Sequence, residues 1–198
     1  MCASIILILV LLTAGELHAA LGAEVAKRCD GCHGPNGHSE EPDVPAIGGF
    51  SAYAILDLLE SFRIGDRPAR PHEDADGIET DMKEISESLS AEEAQAVADY
   101  YAAQSWQPRK QAFDAALAKR GAAVHEIKCD RCHSGYGSDP DDELALVLGQ
   151  WRDYLAQEFR SFDERKRKMP RKMGDKYDSL SASDKRAILE LYVSGGEF

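Results

Sequence analysis

Apolar positions recur at helical spacing in two widely separated stretches of this 198-residue chain. Phe50, Ala54, Ile55, Leu58, Leu59 and Phe62 form one stripe. Trp151, Leu155, Glu158, Phe159 and Phe162 form another, with Glu158 as its one polar member. Each stripe is followed by a helix start of the same form. Ser90-Ala91-Glu92-Glu93 reads as a capping box before Ala94, Val97, Ala98 and Tyr101, since the serine hydroxyl and the third-position carboxylate satisfy each other's backbone amides. Ser181 to Asp184 repeats that start before Ile188, Leu191 and Tyr192. A further helix is expected over residues 111–128, after a joint at residues 104–109 that contains Pro108. No segment alternates with period two for long enough to argue a sheet, so the fold class expected is all-α.

The two stripes belong to an internal repeat. Over residues 29–62 the chain matches itself at an offset of 100: Cys29, Cys32, His33, Gly49, Ser61 and Phe62 return as Cys129, Cys132, His133, Gly149, Ser161 and Phe162. After a gap of nine residues the offset becomes 91, pairing Met82 with Met173, Leu89-Ser90-Ala91 with Leu180-Ser181-Ala182, and Tyr101 with Tyr192. A module used twice, with an extra stretch in the first copy, accounts for this pattern. The division expected is residues 1–20 as a signal peptide, 21–105 as the first module and 106–198 as the second. Residues 5–12 are an unbroken apolar run, followed by the small residues Ala19, Ala20 and Ala23. The run is short of the ~20 residues of a membrane span, which favours a cleaved export signal and hence a periplasmic protein. An uncleaved N-terminal anchor is the alternative. Cys2 precedes the run, whereas a lipoprotein cysteine would come after it.

The chemistry is concentrated in Cys29-Asp30-Gly31-Cys32-His33 and Cys129-Asp130-Arg131-Cys132-His133. C-x-x-C-H is the attachment pattern of a c-type haem. Cys29, Cys32, Cys129 and Cys132 are positioned to form thioethers with the vinyl groups of two porphyrins, and His33 and His133 to ligate the irons. A module of eighty-odd residues makes a thin core, which a large flat apolar cofactor would fill. The other axial ligand is reached by counting. Apart from the initiator the methionines are Met82, Met169 and Met173. Met82 is the methionine of the first module. In the second, the repeat favours Met173 over Met169, because Met82 and Met173 each precede the Leu of the Leu-Ser-Ala start by seven residues. His72 is a rival to Met82. His125 falls on the helix leading into the second signature, the wrong side for a distal ligand, and His38 reads as a loop residue. A zinc site of four thiolates would leave both adjacent histidines and the matched methionines unexplained.

Iron closed by two protein ligands points to electron transfer rather than to catalysis at an open metal. No nucleotide fingerprint, nucleophile elbow or second metal cluster suggests an enzyme. The formal charge is −12, and removing residues 1–20 deletes the single acid Glu16. This argues against nucleic acid and anionic membranes as partners. One local reversal, Arg165, Lys166, Arg167, Lys168, Arg171 and Lys172, crowds the approach to Met173. It reads equally as a solvated helix end or as a surface for propionates or a protein partner. The corresponding approach to Met82 is acidic, with Glu73, Asp74, Asp76, Glu79 and Asp81.

The run from Tyr100-Tyr101-Ala102-Ala103-Gln104-Ser105-Trp106-Gln107-Pro108-Arg109 through Ala118, with Leu148-Gly149-Gln150-Trp151 and the stretch from Phe162 to Met173, resembles the diheme cytochrome subunit of flavocytochrome c sulfide dehydrogenase. The resemblance spans most of the mature chain. It implies two tandem class I cytochrome c domains, two covalent haem c groups with His/Met iron, and ligands at His33, Met82, His133 and Met173. It further implies an FAD-containing flavoprotein partner that oxidises sulfide, with a downstream acceptor such as another cytochrome or an oxidase. The long stretch at residues 63–81 departs from that pattern. The generic sibling is a free soluble diheme carrier relaying electrons to an oxidase.

Overall fold

A computed structural model describes residues 13–73 and 77–198. The apolar run at residues 5–12 and Cys2 lie outside the described residues. The first half comprises α1 (Ala14–His33), α2 (Ala52–Arg63), α3 (Met82–Ser88) and α4 (Ala91–Ala102). The second comprises α5 (Ala115–Lys128), the single turn α6 (Ser134–Gly137), α7 (Arg152–Asp163), α8 (Arg171–Asp178) and α9 (Ala182–Val193). No described helix is long and apolar enough to cross a membrane.

Both expected capping boxes form: Ser90 and Glu93 exchange bonds at the start of α4, and Ser181 and Asp184 do so at the start of α9. The helix expected over residues 111–128 begins later, at Ala115. Asp114 stands in extended backbone and its carboxylate accepts from Leu117 N–H, so the cap fixes the start there. The all-α expectation has one small exception. A hairpin, β1 (His72–Glu73) against β2 (Glu79–Thr80), pairs His72 with Thr80 inside the stretch that the second half lacks.

In each half the helix that carries or leads into the signature crosses the last helix, α1 on α4 and α5 on α9. A glycine makes each crossing possible. A Cβ on Gly22 would stand 2.4 Å from the Ala96 carbonyl oxygen, and one on Gly121 would stand 2.1 Å from that of Ala187. The first core gathers Val25, Phe50, Leu59, Val97 and Tyr101; the second gathers Leu148, Leu155, Ile188, Leu191 and Tyr192. Burying such side chains is worth about 1.5–3 kcal/mol each, and in both halves it welds the two stripes to the capped helices.

The halves are joined by specific polar contacts. Gln150 is fully buried and treats the Ala46 backbone as a strand partner would: its Oε1 accepts from Ala46 N–H at 3.0 Å and its Nε2 donates to Ala46 C=O at 2.7 Å. Trp151 Nε1 donates to the Ser39 carbonyl, Tyr154 N–H to the Pro42 carbonyl, and Lys168 N–H to the Asp66 carbonyl. The joint packs on both halves: Trp106 lies against Gly49 and donates its Nε1–H to the Leu148 carbonyl, while Arg109 N–H donates to the Gly149 carbonyl.

Candidate haem sites

In the first half α1 continues through the signature to His33. This sets Cys29, Cys32 and His33 on the wall of a cavity of about 430 Å³, within the usual size range of cofactor sites. Apolar side chains of α2 and α4, among them Leu59, Phe62 and Val97, form much of the remainder. Met82 and Ile85 of α3 reach the same space, as do His72 and Ile78 of the inserted hairpin. The second half contributes Tyr154 and Gln157. Met82 therefore joins the signature residues at one cavity, and so does its rival His72.

His33 is buried, and burial holds its pKa below the ordinary histidine value, so the ring is neutral. Its Nδ1 lies 2.9 Å from the Pro45 carbonyl oxygen. A carbonyl can only accept, so Nδ1 carries the proton and Nε2 presents a lone pair. This is the tautomer and second contact expected of an imidazole that ligates a metal. Cys29 and Cys32 carry no disulfide, and burial pushes the Cys29 thiol up. Two thiols, an oriented imidazole, a thioether and an apolar cavity fit a covalently attached haem.

The second half is built differently. Its helix α5 stops at Lys128, and residues 129–133 are turns. Cys129 is half-buried and Cys132 exposed. Burial also lowers the pKa of His133, yet its Nδ1 finds no hydrogen-bond partner among the described residues. Position 145, the counterpart of Pro45, is alanine. The turn after the signature is held by Asp142, which accepts from Ser134 N–H and Oγ–H, and Tyr136 adopts φ 62°, a conformation costly for a bulky residue. Met169 and Met173 are both half-buried, the latter on α8.

His125 lies on α5, as its place in the sequence suggested, and is fully buried with both ring nitrogens unpartnered among the described residues. Tyr136 and Tyr192 pack edge-on against it at 5.4 and 5.7 Å. Burial, reinforced by His133, holds its pKa down to about 4. His38 is a half-buried loop residue.

The basic run is largely consumed by ion pairs. Arg165 binds Asp178, Lys166 binds Glu164, Arg167 binds Glu158 and Lys168 binds Asp66. That leaves Arg171 and Lys172 as the exposed cations nearest Met173 for any docking role. The two C-x-x-C pairs sit in separate halves, and no group of three or more His, Cys, Asp or Glu side chains able to hold a metal converges among the described residues.

What sequence reasoning missed lies between the halves. Arg67 is buried, stacks 4.6 Å from the Phe62 ring centroid and donates to Tyr154 Oη at 3.0 Å. Arg67, Arg70 and Arg167 all converge on the buried Glu158 carboxylate, the first two at 3.3 and 3.0 Å. Burial would raise this carboxyl, but Arg67, Arg167 and Arg70 outweigh it and hold it down to about 2. The available signal was Glu158 itself, a charge on an otherwise apolar stripe.

Comparison with known proteins matches residues 19–103 to the cytochrome c family. The chain is 27% identical over 156 residues to cytochrome c4 of Azotobacter vinelandii, covering 74% of this chain and 72% of that protein. It superposes on reduced recombinant cytochrome c4 from Pseudomonas stutzeri with a TM-score of 0.69 at 23% identity, covering 88% of this chain and 97% of that one. The as-isolated thiosulfate dehydrogenase of Marichromatium purpuratum gives the same TM-score at 21% identity, covering 89% of this chain but 40% of that one. The chain is accordingly similar to electron-transfer diheme c-type cytochromes; it is all-α, with two tandem class I cytochrome c domains and two covalently bound haem c groups.

Proposed function

We propose that this chain is exported to the periplasm and passes single electrons through two haems attached at Cys29/Cys32 and Cys129/Cys132, with axial pairs His33/Met82 and His133/Met173. The first cavity carries the reading, because it gathers both thiols, the oriented His33 and Met82 around one apolar space. Bound haem supplies an iron that cycles by one electron between ferric and ferrous states. The chain's own residues do the rest. Pro45 fixes the His33 tautomer, the α2 and α4 side chains keep water from the cavity, and two protein ligands leave no open position for a substrate. A His/Met pair also raises the potential relative to His/His.

For the donor, the resemblance of the joint and of the stretch before Met173 supports an FAD-containing flavoprotein that oxidises sulfide. The similarity to cytochrome c4 over three-quarters of the chain supports a free carrier that relays electrons to an oxidase. The structural neighbour named as a thiosulfate dehydrogenase extends the donor class to enzymes of inorganic sulfur oxidation. Capture of the native protein from periplasmic extract, with flavin analysis of the captured material, decides between them. Stoichiometric flavin in the captured complex supports the subunit reading; a flavin-free, monomeric diheme protein supports the carrier. Haem that acid–acetone strips away would overturn the covalent attachment.

A further inference from the structure

The repeat relates the interface cations but not their anion. Arg67 and Arg167 are counterparts at the offset of 100, as are Phe62 and Phe162. Each guanidinium stacks on its own phenylalanine, at 4.6 and 4.8 Å from the ring centroid. Both then turn to Glu158, whose counterpart in the first half is Leu58, an apolar residue lining the first cavity. Arg70 joins from the first half. Two largely buried guanidiniums, Arg67 and Arg167, and the more exposed Arg70 thus surround one carboxylate, and a buried excess of cations is costly unless further anions complete the cluster. Arg67 and Arg70 also line the first cavity, so their charge acts directly on whatever that cavity holds. Since charge interactions strengthen in a poorly solvated interior, the unmatched carboxylate makes the two sites electrostatically unequal.

We propose that Glu158 is a positioning residue that sets the difference in reduction potential between the two haems, by restraining and partly neutralising the guanidiniums on the wall of the first cavity. This rests on the diheme reading. Positive charge near an iron favours its ferrous state, so removing the carboxylate should favour reduction of the first haem more than of the second.

The test is a spectroelectrochemical titration of the full holoprotein, with NMR signals of the axial ligands assigning each midpoint to its haem. Glu158→Gln is expected to move the first haem's midpoint upward by more than the second's. Glu158→Asp, which keeps the charge, should stay close to the parent. Arg167→Gln removes a cation and should shift the midpoints downward, which provides the reading if Glu158→Gln does not accumulate. Midpoints unmoved in Glu158→Gln, or moved equally in Glu158→Asp, would overturn the proposal, as would an unchanged Arg167→Gln. A haem count other than two in the purified protein would fail the diheme reading instead.

Discussion

The two halves share a plan but not a way of holding their histidines. In the first, α1 runs unbroken to His33 and the Pro45 carbonyl takes the Nδ1 proton. In the second, α5 ends before Cys129, alanine stands in place of proline, and His133 Nδ1 is left without a partner among the described residues. A second buried imidazole, His125, occupies the place of Val25. Duplication preserved what the attachment chemistry needs, the spacing of thiols and histidine. It did not preserve the surroundings that tune that chemistry, so the halves are expected to differ in acid sensitivity and potential.

The largest contrast to test concerns the distal ligands. Met82→Ala should remove about half of the optical band that arises from Met–Fe(III) ligation, when normalised to haem content in a protein with two such sites. Met173→Ala should remove the other half; if Met169→Ala does so instead, the register of the second site moves by four residues. Persistence of the full band in Met82→Ala would hand the first site to His72, which lines the same cavity.

Acid should separate the halves next. His125 is neutral when folded, with its pKa lowered from 6.5 to about 4. The unfolded chain takes up a proton near 6.5, so this contribution to stability is complete above that pH and is lost as pH falls towards 4. The difference corresponds to a loss on the order of 3 kcal/mol. Hydrogen exchange in α5 should therefore accelerate between pH 6.5 and 4 more than in α1, whose own buried histidine His33 keeps the hydrogen bond to Pro45 that His125 lacks, and His125→Val should abolish the difference. Equal acid response of α1 and α5 would contradict it.

The helix crossings offer a smaller contrast. Gly121→Ala forces a Cβ closer to backbone oxygen than Gly22→Ala does, at 2.1 against 2.4 Å. Both substitutions should lower the melting temperature, at a cost of about 1–3 kcal/mol, with the second half suffering more. Smallest of all is Lys168→Ala. It removes an exposed cation paired with Asp66 across the interface, which should cost about 0–1 kcal/mol, and high salt should mask even that in a melt.

Much of the fold could be read from local pattern. The apolar stripes placed α2 and α7, and serine with an acid three residues on placed the starts of α4 and α9. These features depend on neighbours within one or two turns, which is the range a sequence displays. The hairpin at His72–Glu73 and Glu79–Thr80 escaped because strands of two residues have no period to detect. The expected helix end at residue 128 is where α5 stops, but the different backbone of the two signatures was not legible: C-x-x-C-H is helical in one half and turned in the other, so the motif alone does not fix its own conformation. The arginine cluster joins residues 67, 70, 158 and 167, a contact made by the docking of the halves, which no local window contains. For the site, the motif and repeat selected the residues that line the first cavity, whereas the role of Pro45 lies in a backbone carbonyl and has no side-chain signature.

The segment between the halves is not a tether. Trp106 seats on Gly49, Arg109 bonds to Gly149, and Gln111 donates to the carbonyl of Gln150. Scission of the peptide near Gln107 would leave these attachments in place on either side of the cut. Haems carried by the two halves would consequently be held across a fixed gap, and an electron passing between them would need no diffusive search.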